Sequence, residues 1–178
     1  MAVLTEGRTA LPTGSWALDA VHSTIGFELA YMAGTFRGHF TDVDAKLTDD
    51  SLTGSARVAS VDVKDENLSA HLQSPEFFDV ERYPELTFAS ASIERVGDEL
   101  KVHGEITIRG TAKPVELVGT IAGPITDGYG RERLNVTLET TVDRTAFGLN
   151  WNTPLPNGQP ALQNEVKLVA ELYFVQEA

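Results

Sequence analysis

The stretch Leu100-Lys101-Val102-His103-Gly104-Glu105-Ile106-Thr107-Ile108-Arg109 decides the fold. Leu100, Val102, Ile106 and Ile108 take one parity, and Lys101, His103, Glu105 and Thr107 take the other. A period of two sends the two sets to opposite faces of a pleated strand, so this segment predicts an antiparallel strand with one buried and one wet face. The pattern recurs downstream in Val115, Leu117, Gly119 and Ile121, in Leu134, Val136, Leu138, Thr140 and Val142, and in Val166, Leu168, Ala170, Leu172 and Phe174. Upstream, Ile25, Phe27, Leu29 and Tyr31 share a face, and Phe36, Gly38 and Phe40 continue it. Val43, Ala45 and Leu47 then resume on the opposite parity, a slip that predicts a β-bulge near Thr41–Asp42 bending one long strand. Asp49-Asp50, Val96-Gly97-Asp98 and Thr126-Asp127-Gly128 supply turns between the runs. With 16 Val, 6 Ile and 18 Thr, composition favours strands throughout.

One stretch departs from this pattern. Between Asp65 and Pro84 the period of two is lost, and Leu68, His71 and Leu72 fall at helical spacing. Ser74-Pro75 has the form of an N-cap followed by proline at the first helical position. Two short helical turns are therefore expected, over 66–73 and 75–80. Residues 150–160, rich in Pro and Asn, read as a long loop before the last strand. The expected fold is all-β: an extended antiparallel eight-stranded barrel with a short helical insert, in one domain over 1–178. Its core would span about 16–175, with 1–15 as an N-terminal extension.

Composition removes whole classes of function. The 178 residues carry 14 Lys and Arg against 26 Asp and Glu, a net charge of −12, which disfavours nucleic acid and anionic lipid as partners. There is no cysteine, so disulfides, thiol nucleophiles and Cys-based zinc sites are absent. No window approaches the ~18 apolar residues of a membrane helix. Glu6 and Arg8 interrupt any apolar run at the N-terminus, so a cytoplasmic location is the expectation. Gly128-Tyr129-Gly130 lacks the third glycine of a dinucleotide loop and joins strands, and no P-loop or nucleophile elbow occurs. His22, His39, His71 and His103 form no His-x-His or His-x-x-x-His pair, and no metal is expected. Asp42, Asp44, Asp49 and Asp50 read as a solvated edge that discourages strand-to-strand association.

The apolar faces carry the remaining signal. Gly38, Gly104 and Gly119 lie on the inward parity, where a missing side chain either fits a bend or widens a lumen. Strands of ten to eleven residues give a barrel interior about 25–28 Å tall, suited to a long apolar guest. The pattern alone leaves a packed core and a ligand cavity equally open.

Four segments resemble the YceI-like family of polyisoprenoid-binding proteins: Trp16 to Phe27 with Asp19, His22 and Ser23; His71 to Asp79 running into Tyr83-Pro84 and Phe88; Gly104 to Val115 with Arg109-Gly110-Thr111; and Val142-Asp143-Arg144 to Phe147-Gly148. Their order and spacing cover nearly the whole chain. The resemblance implies a lipocalin-like barrel with a helical lid and a buried long-chain isoprenoid, typically with a quinone-like head. It implies no cofactor beyond such a bound polyisoprenoid or isoprenoid quinone. Many members of the family are periplasmic.

The candidate cavity residues are Phe27, Leu29, Phe36 and Phe40; Leu72, Phe77 and Phe78 from the insert; Phe88, Ile106, Ile108 and Leu117; and Phe147, Leu168 and Leu172. The candidate head-group or barrel-end residues are Asp19, His22, Ser23, His71, Arg109 and Arg144. For the two arginines the favoured reading is a bridge to carboxylates such as Asp19, Asp79 or Asp143. The functional expectation is a non-catalytic carrier of a long-chain amphiphile, with a homodimer left open. The alternatives are an enzyme acting on an amphiphile in the cavity, and an outer-membrane barrel, which has the same alternation.

Overall fold

Among residues 9–177, which the computed structural model describes, eleven strands form one antiparallel sheet. The reading of the first eight residues lies outside that range. The strands are β1 (Trp16–Leu18), β2 (Thr24–Tyr31), β3 (Gly34–Phe40), β4 (Val43–Leu47), β5 (Leu52–Arg57) and β6 (Val61–Asp62). After helix α1 (Glu66–Gln73) come β7 (Glu85–Val96), β8 (Glu99–Ile108), β9 (Thr111–Thr126), β10 (Glu132–Asp143) and β11 (Glu165–Gln176). β1 pairs with both β4 and β11, and this closes the ring β1-β4-β5-β7-β8-β9-β10-β11 into an eight-stranded barrel. β2 takes over from β1 further along β11, and β3 and β6 extend the wall from there. That end is termed the upper end.

The parity slip at Thr41–Asp42 is a break between two strands instead of a bulge within one. β3 pairs with β2 and β6, whereas β4 pairs with β1 and β5. The Thr41 N–H donates to the Ser60 carbonyl, and Asp42 O accepts from the Arg57 N–H, so both flanks of the bend are satisfied. Register shifts instead occur opposite Gly104–His103, where β7 carries an extra residue, and opposite Arg133–Asn135, where β9 does.

The Asp65 carboxylate caps α1 by accepting from the Leu68 N–H at 2.9 Å. The second expected helix over 75–80 does not form. Ser74 Oγ donates back to the His71 carbonyl at 2.6 Å, and the N–H groups of Phe78 and Val80 reach back to the carbonyls of Leu72 and Gln73 instead of opening a new helix. The N–H groups of Phe77 and Asp79 both donate to the Ser74 carbonyl, and Asp79 turns the chain with φ 55°. The result is a knot of turns that still presents Phe77 and Phe78 inward.

Inside the lower half, Trp16, Ile121, Leu134, Val136, Leu138 and Phe174 pack into a dense core. A second apolar cluster lies in the upper half and includes Phe27, Phe40, Leu72, Phe77 and Phe147. Val102 is fully buried and Glu105 and Glu171 are exposed, as the alternation requires, while Ile106 and Leu168 point inward but are only partly covered. Outward positions carry charge: Lys167 pairs with Glu139 at 3.2 Å across β10 and β11, and Lys101, Glu105 and Glu171 lie on the same outer surface. An outer face of this kind contrasts with the apolar belt of a transmembrane barrel. Among the described residues no helix is long and apolar enough to cross a membrane.

The inward glycines do not widen the lumen. A Cβ on Gly38 would stand 2.5 Å from the ring of Phe27, its cross-strand partner. A Cβ on Gly104 would meet the Ala89 carbonyl oxygen at 2.4 Å and the Phe88 ring at 2.6 Å, and one on Gly119 would meet the Thr137 carbonyl oxygen at 1.7 Å. Neighbouring rings and backbone already occupy the space these glycines leave.

Candidate functional site

Under α1 the upper half of the barrel holds a cavity of about 260 Å³. β2 and β3 supply Phe27, Leu29, Phe36 and Phe40 to its wall. The lid supplies Leu68, His71 and Leu72, followed by Phe77 and Phe78. Ile108, Val142, Val166 and Leu168 come from β8, β10 and β11, and the β10–β11 connection adds Phe147, Leu149, Trp151 and Leu162. A second compartment of about 130 Å³ lies below, with Phe88, Ile106, Leu117, Leu138 and Leu172 in its wall. Phe40, Leu86, Ile108 and Leu168 border both spaces. A larger outer groove beside α1, about 750 Å³, is walled by exposed Lys64, Asp65, Glu66 and Glu81 and offers no enclosed apolar surface.

All fourteen apolar candidates therefore face one compartment or the other. Of the two readings left open by the pattern, each describes part of the interior: the compartments lie towards the upper end, and the lower core closes the rest. Sequence reasoning passed over Leu149, Trp151 and Leu162, which the loop folds back over the cavity. The available signal was three large apolar side chains in or beside an otherwise polar connection.

The polar candidates separate into two groups. Asp19, His22 and Ser23 lie away from the cavity at the β1–β2 corner. Asp19 is 2.7 Å from His22 Nδ1 and accepts from Arg133 at 2.9 Å, and Arg133 in turn donates to Asp127 at 2.6 Å. Ser23 Oγ donates to the Asp19 carbonyl and accepts from the Tyr173 N–H, which completes the ladder where β1 leaves β11 and β2 joins it. The hydrogen bonds from His22 and then Arg133 lower the Asp19 carboxyl, against an opposing effect of burial. Asp127 is held well below the carboxylate range, first by Arg133 and then by the Arg131 N–H.

Arg109, His71 and Arg144 surround the lid. Arg109 and Gly110 both have positive φ (49° and 72°) and form a two-residue hairpin between β8 and β9. A Cβ on Gly110 would lie 2.5 Å from the Tyr83 ring, so only glycine fits. The Arg109 guanidinium donates to the carbonyls of Gly148 (3.0 Å) and Pro75 (2.8 Å), stapling the hairpin to both flanking loops. His71 packs edge-on against Phe77 and Trp151, with centroids 5.0 and 4.9 Å apart, and its Nε2 is 2.7 Å from Glu76.

Arg144 is buried in the cavity wall and donates to three carbonyls, those of Gln163, Leu149 and Trp151. The expected bridges to carboxylates are thus not made. Among the described residues neither Arg109 nor Arg144 has an ion-pair partner; Asp19 engages Arg133, Asp79 lies 3.7 Å from Arg82, and Asp143 caps Thr145. Loop carbonyls supply the acceptors because the loops at this end are irregular and leave C=O groups without a ladder. Among the described residues no group of three or more His, Asp or Glu is arranged to hold a metal.

Both the sequence and the barrel fold recur in known proteins. The chain is 31% identical over 167 residues to Protein YceI of Salmonella newport (strain SL254), covering 89% of this chain and 84% of that protein. It is 29% identical over 157 residues to a UPF0312 protein of Pseudomonas putida (strain W619), covering 83% and 82%. The fold matches Burkholderia cenocepacia BcnA with a TM-score of 0.73 at 24% identity, over 88% of this chain and 98% of that one. It also matches a polyisoprenoid binding domain from Saccharophagus degradans with a TM-score of 0.71 at 11% identity, over 91% and 98%. The family model for the YceI-like domain matches residues 16–174, and the chain belongs to that family.

Proposed function

We propose that this protein is a non-catalytic carrier or reservoir that encloses the apolar chain of an isoprenoid or similar amphiphile. The observation that carries this reading is the covered cavity of about 260 Å³, whose wall is almost wholly aliphatic and aromatic. A close-packed core would have no use for such a space, since each unfilled volume costs stability. An apolar cavity of about 150 Å³ takes one benzene, so the upper compartment suits a chain of about ten carbons and both together about fifteen. A longer polyisoprenoid would leave its remainder outside the mouth. The polyisoprenoid binding named for the Saccharophagus domain supports the same ligand class here.

The test is organic extraction of the purified protein followed by mass spectrometry, with uptake of a neutral fluorescent lipid probe by the delipidated protein. A retained isoprenoid or related amphiphile and saturable uptake are expected. Protein that carries no lipid and takes up no probe would sink the reading. A second reading, an enzyme acting on such an amphiphile, draws on one observation: His71 lines the cavity with Glu76 2.7 Å from its ring. Turnover of the extracted lipid that disappears in His71→Gln, with lipid content unchanged, would favour it.

A further inference from the structure

Arg144 presents an unfinished hydrogen-bonding set. It is 5% exposed and lies in the wall of the upper cavity. Nε donates to the Gln163 carbonyl at 3.0 Å, and Nη1 donates to the carbonyls of Leu149 at 2.7 Å and Trp151 at 2.8 Å. Nη2 is buried and has no partner among the described residues. A guanidinium keeps its charge at every working pH, and dry unpaired donors on a buried cation are costly. Burial pushes the group down from its ordinary value, and the Asp143 charge opposes this only in part. The Asp143 carboxylate is itself occupied by the Thr145 N–H and hydroxyl. The surrounding carbonyls are neutral, so among the described residues no carboxylate ion-pairs with the guanidinium and Nη2 has no acceptor.

We infer that Arg144 is the receptor for an anionic oxygen on the head of the bound amphiphile, a carboxylate or a phosphate. The head then lies at the upper end beneath the β10–β11 connection, and the tail runs down past Phe40 towards the second compartment. The inference rests on the carrier reading and adds to it a charge requirement and an orientation. A neutral alcohol or quinone head would leave the cation without a counter-ion, whereas an anionic head supplies charge and acceptors together.

The experiment uses the full chain, delipidated, with a neutral naphthylamine probe in the cavity and four competitors: dodecanoate, dodecanol, farnesyl monophosphate and farnesol. At least one anion is expected to bind about 10–100-fold more tightly than its own alcohol, the range for hydrogen bonds to a charged group. Preference in the dodecyl pair alone identifies a carboxylate head, and preference in the farnesyl pair alone identifies a phosphate head. Arg144→Met should erase the preference while leaving the alcohols' affinity in place, and Arg144→Lys should retain part of it. The head-group comparison in the unaltered protein needs no variant, so it holds even if Arg144→Met fails to fold. Equal binding of acid and alcohol in both pairs would overturn the inference and leave the carrier reading intact. Failure of all four to displace the probe would remove the carrier reading and this inference with it.

Discussion

Adding a methyl group to Gly104 would drive it into the Ala89 carbonyl and the Phe88 ring, at 2.4 and 2.6 Å. Gly104→Ala is therefore expected to destabilise the barrel by about 1–3 kcal/mol through overpacking, read as a lower urea midpoint. A midpoint equal to the parent's would show that the strand relaxes around the methyl. The sequence shows that Gly104 faces inward but not whether a ring from the next strand fills the gap, because that depends on register and rotamer. Arg144 was legible as a barrel-end residue, yet its partners were not, since backbone carbonyls of a loop leave no trace in residue types. The half-buried cluster of Asp19, Asp127 and Arg133 gives a pH dependence. Both carboxyls titrate below their ordinary value of 3.8 when folded. Protonation therefore favours the unfolded chain: the contribution is full above about pH 4 and is lost as pH falls through the folded values. Arg133→Met should make the acid limb of the thermal midpoint less steep than the parent's, and parallel curves would refute the coupling.

At the scale of the element, α1 is eight residues long and would be marginal alone in water. It persists because Asp65 caps it and because Leu68, His71 and Leu72 rest on the cavity. Asp65→Ala should cost about 1 kcal/mol, with faster amide exchange in α1 and faster release of a bound probe than in the parent. Unchanged release with faster exchange would separate the helix from the entry route. The helix itself was legible from the spacing of its three inward residues. The segment after it was not: Ser74-Pro75 has the same residue types whether Ser74 caps forward or, as here, donates back to His71. The strands were legible almost residue by residue, since a one-residue slip would turn every apolar side chain of β8, β10 or β11 outward. The bend at Thr41–Asp42 was visible as a parity change, but its cause is the exchange of strand partners, a long-range event.

At the scale of the whole molecule, the interior has an upper compartment and a smaller one below it that reaches into the lower core, with Phe40 bordering both. Phe40→Ala should cost about 3–5 kcal/mol and join those compartments, so the optimum in a series of fatty acids should move to longer chains. A lower thermal midpoint with an unmoved optimum would mean that the two spaces are not in series. One further property follows from the way the ring is sealed. β11 hydrogen-bonds to β10, to β1 and to β2, with Trp16 opposite Gln176. Translation delivers the chain from its N-terminus, so this seam cannot form while residue 176 is still inside the ribosome. Until β11 emerges, β1 has only β4 and β2 only β3 as a partner, so each leaves one edge open and the inward side chains have no far wall. The covered cavity therefore exists only once β11 has been made, and during synthesis the net charge of −12 helps to keep neighbouring nascent chains apart.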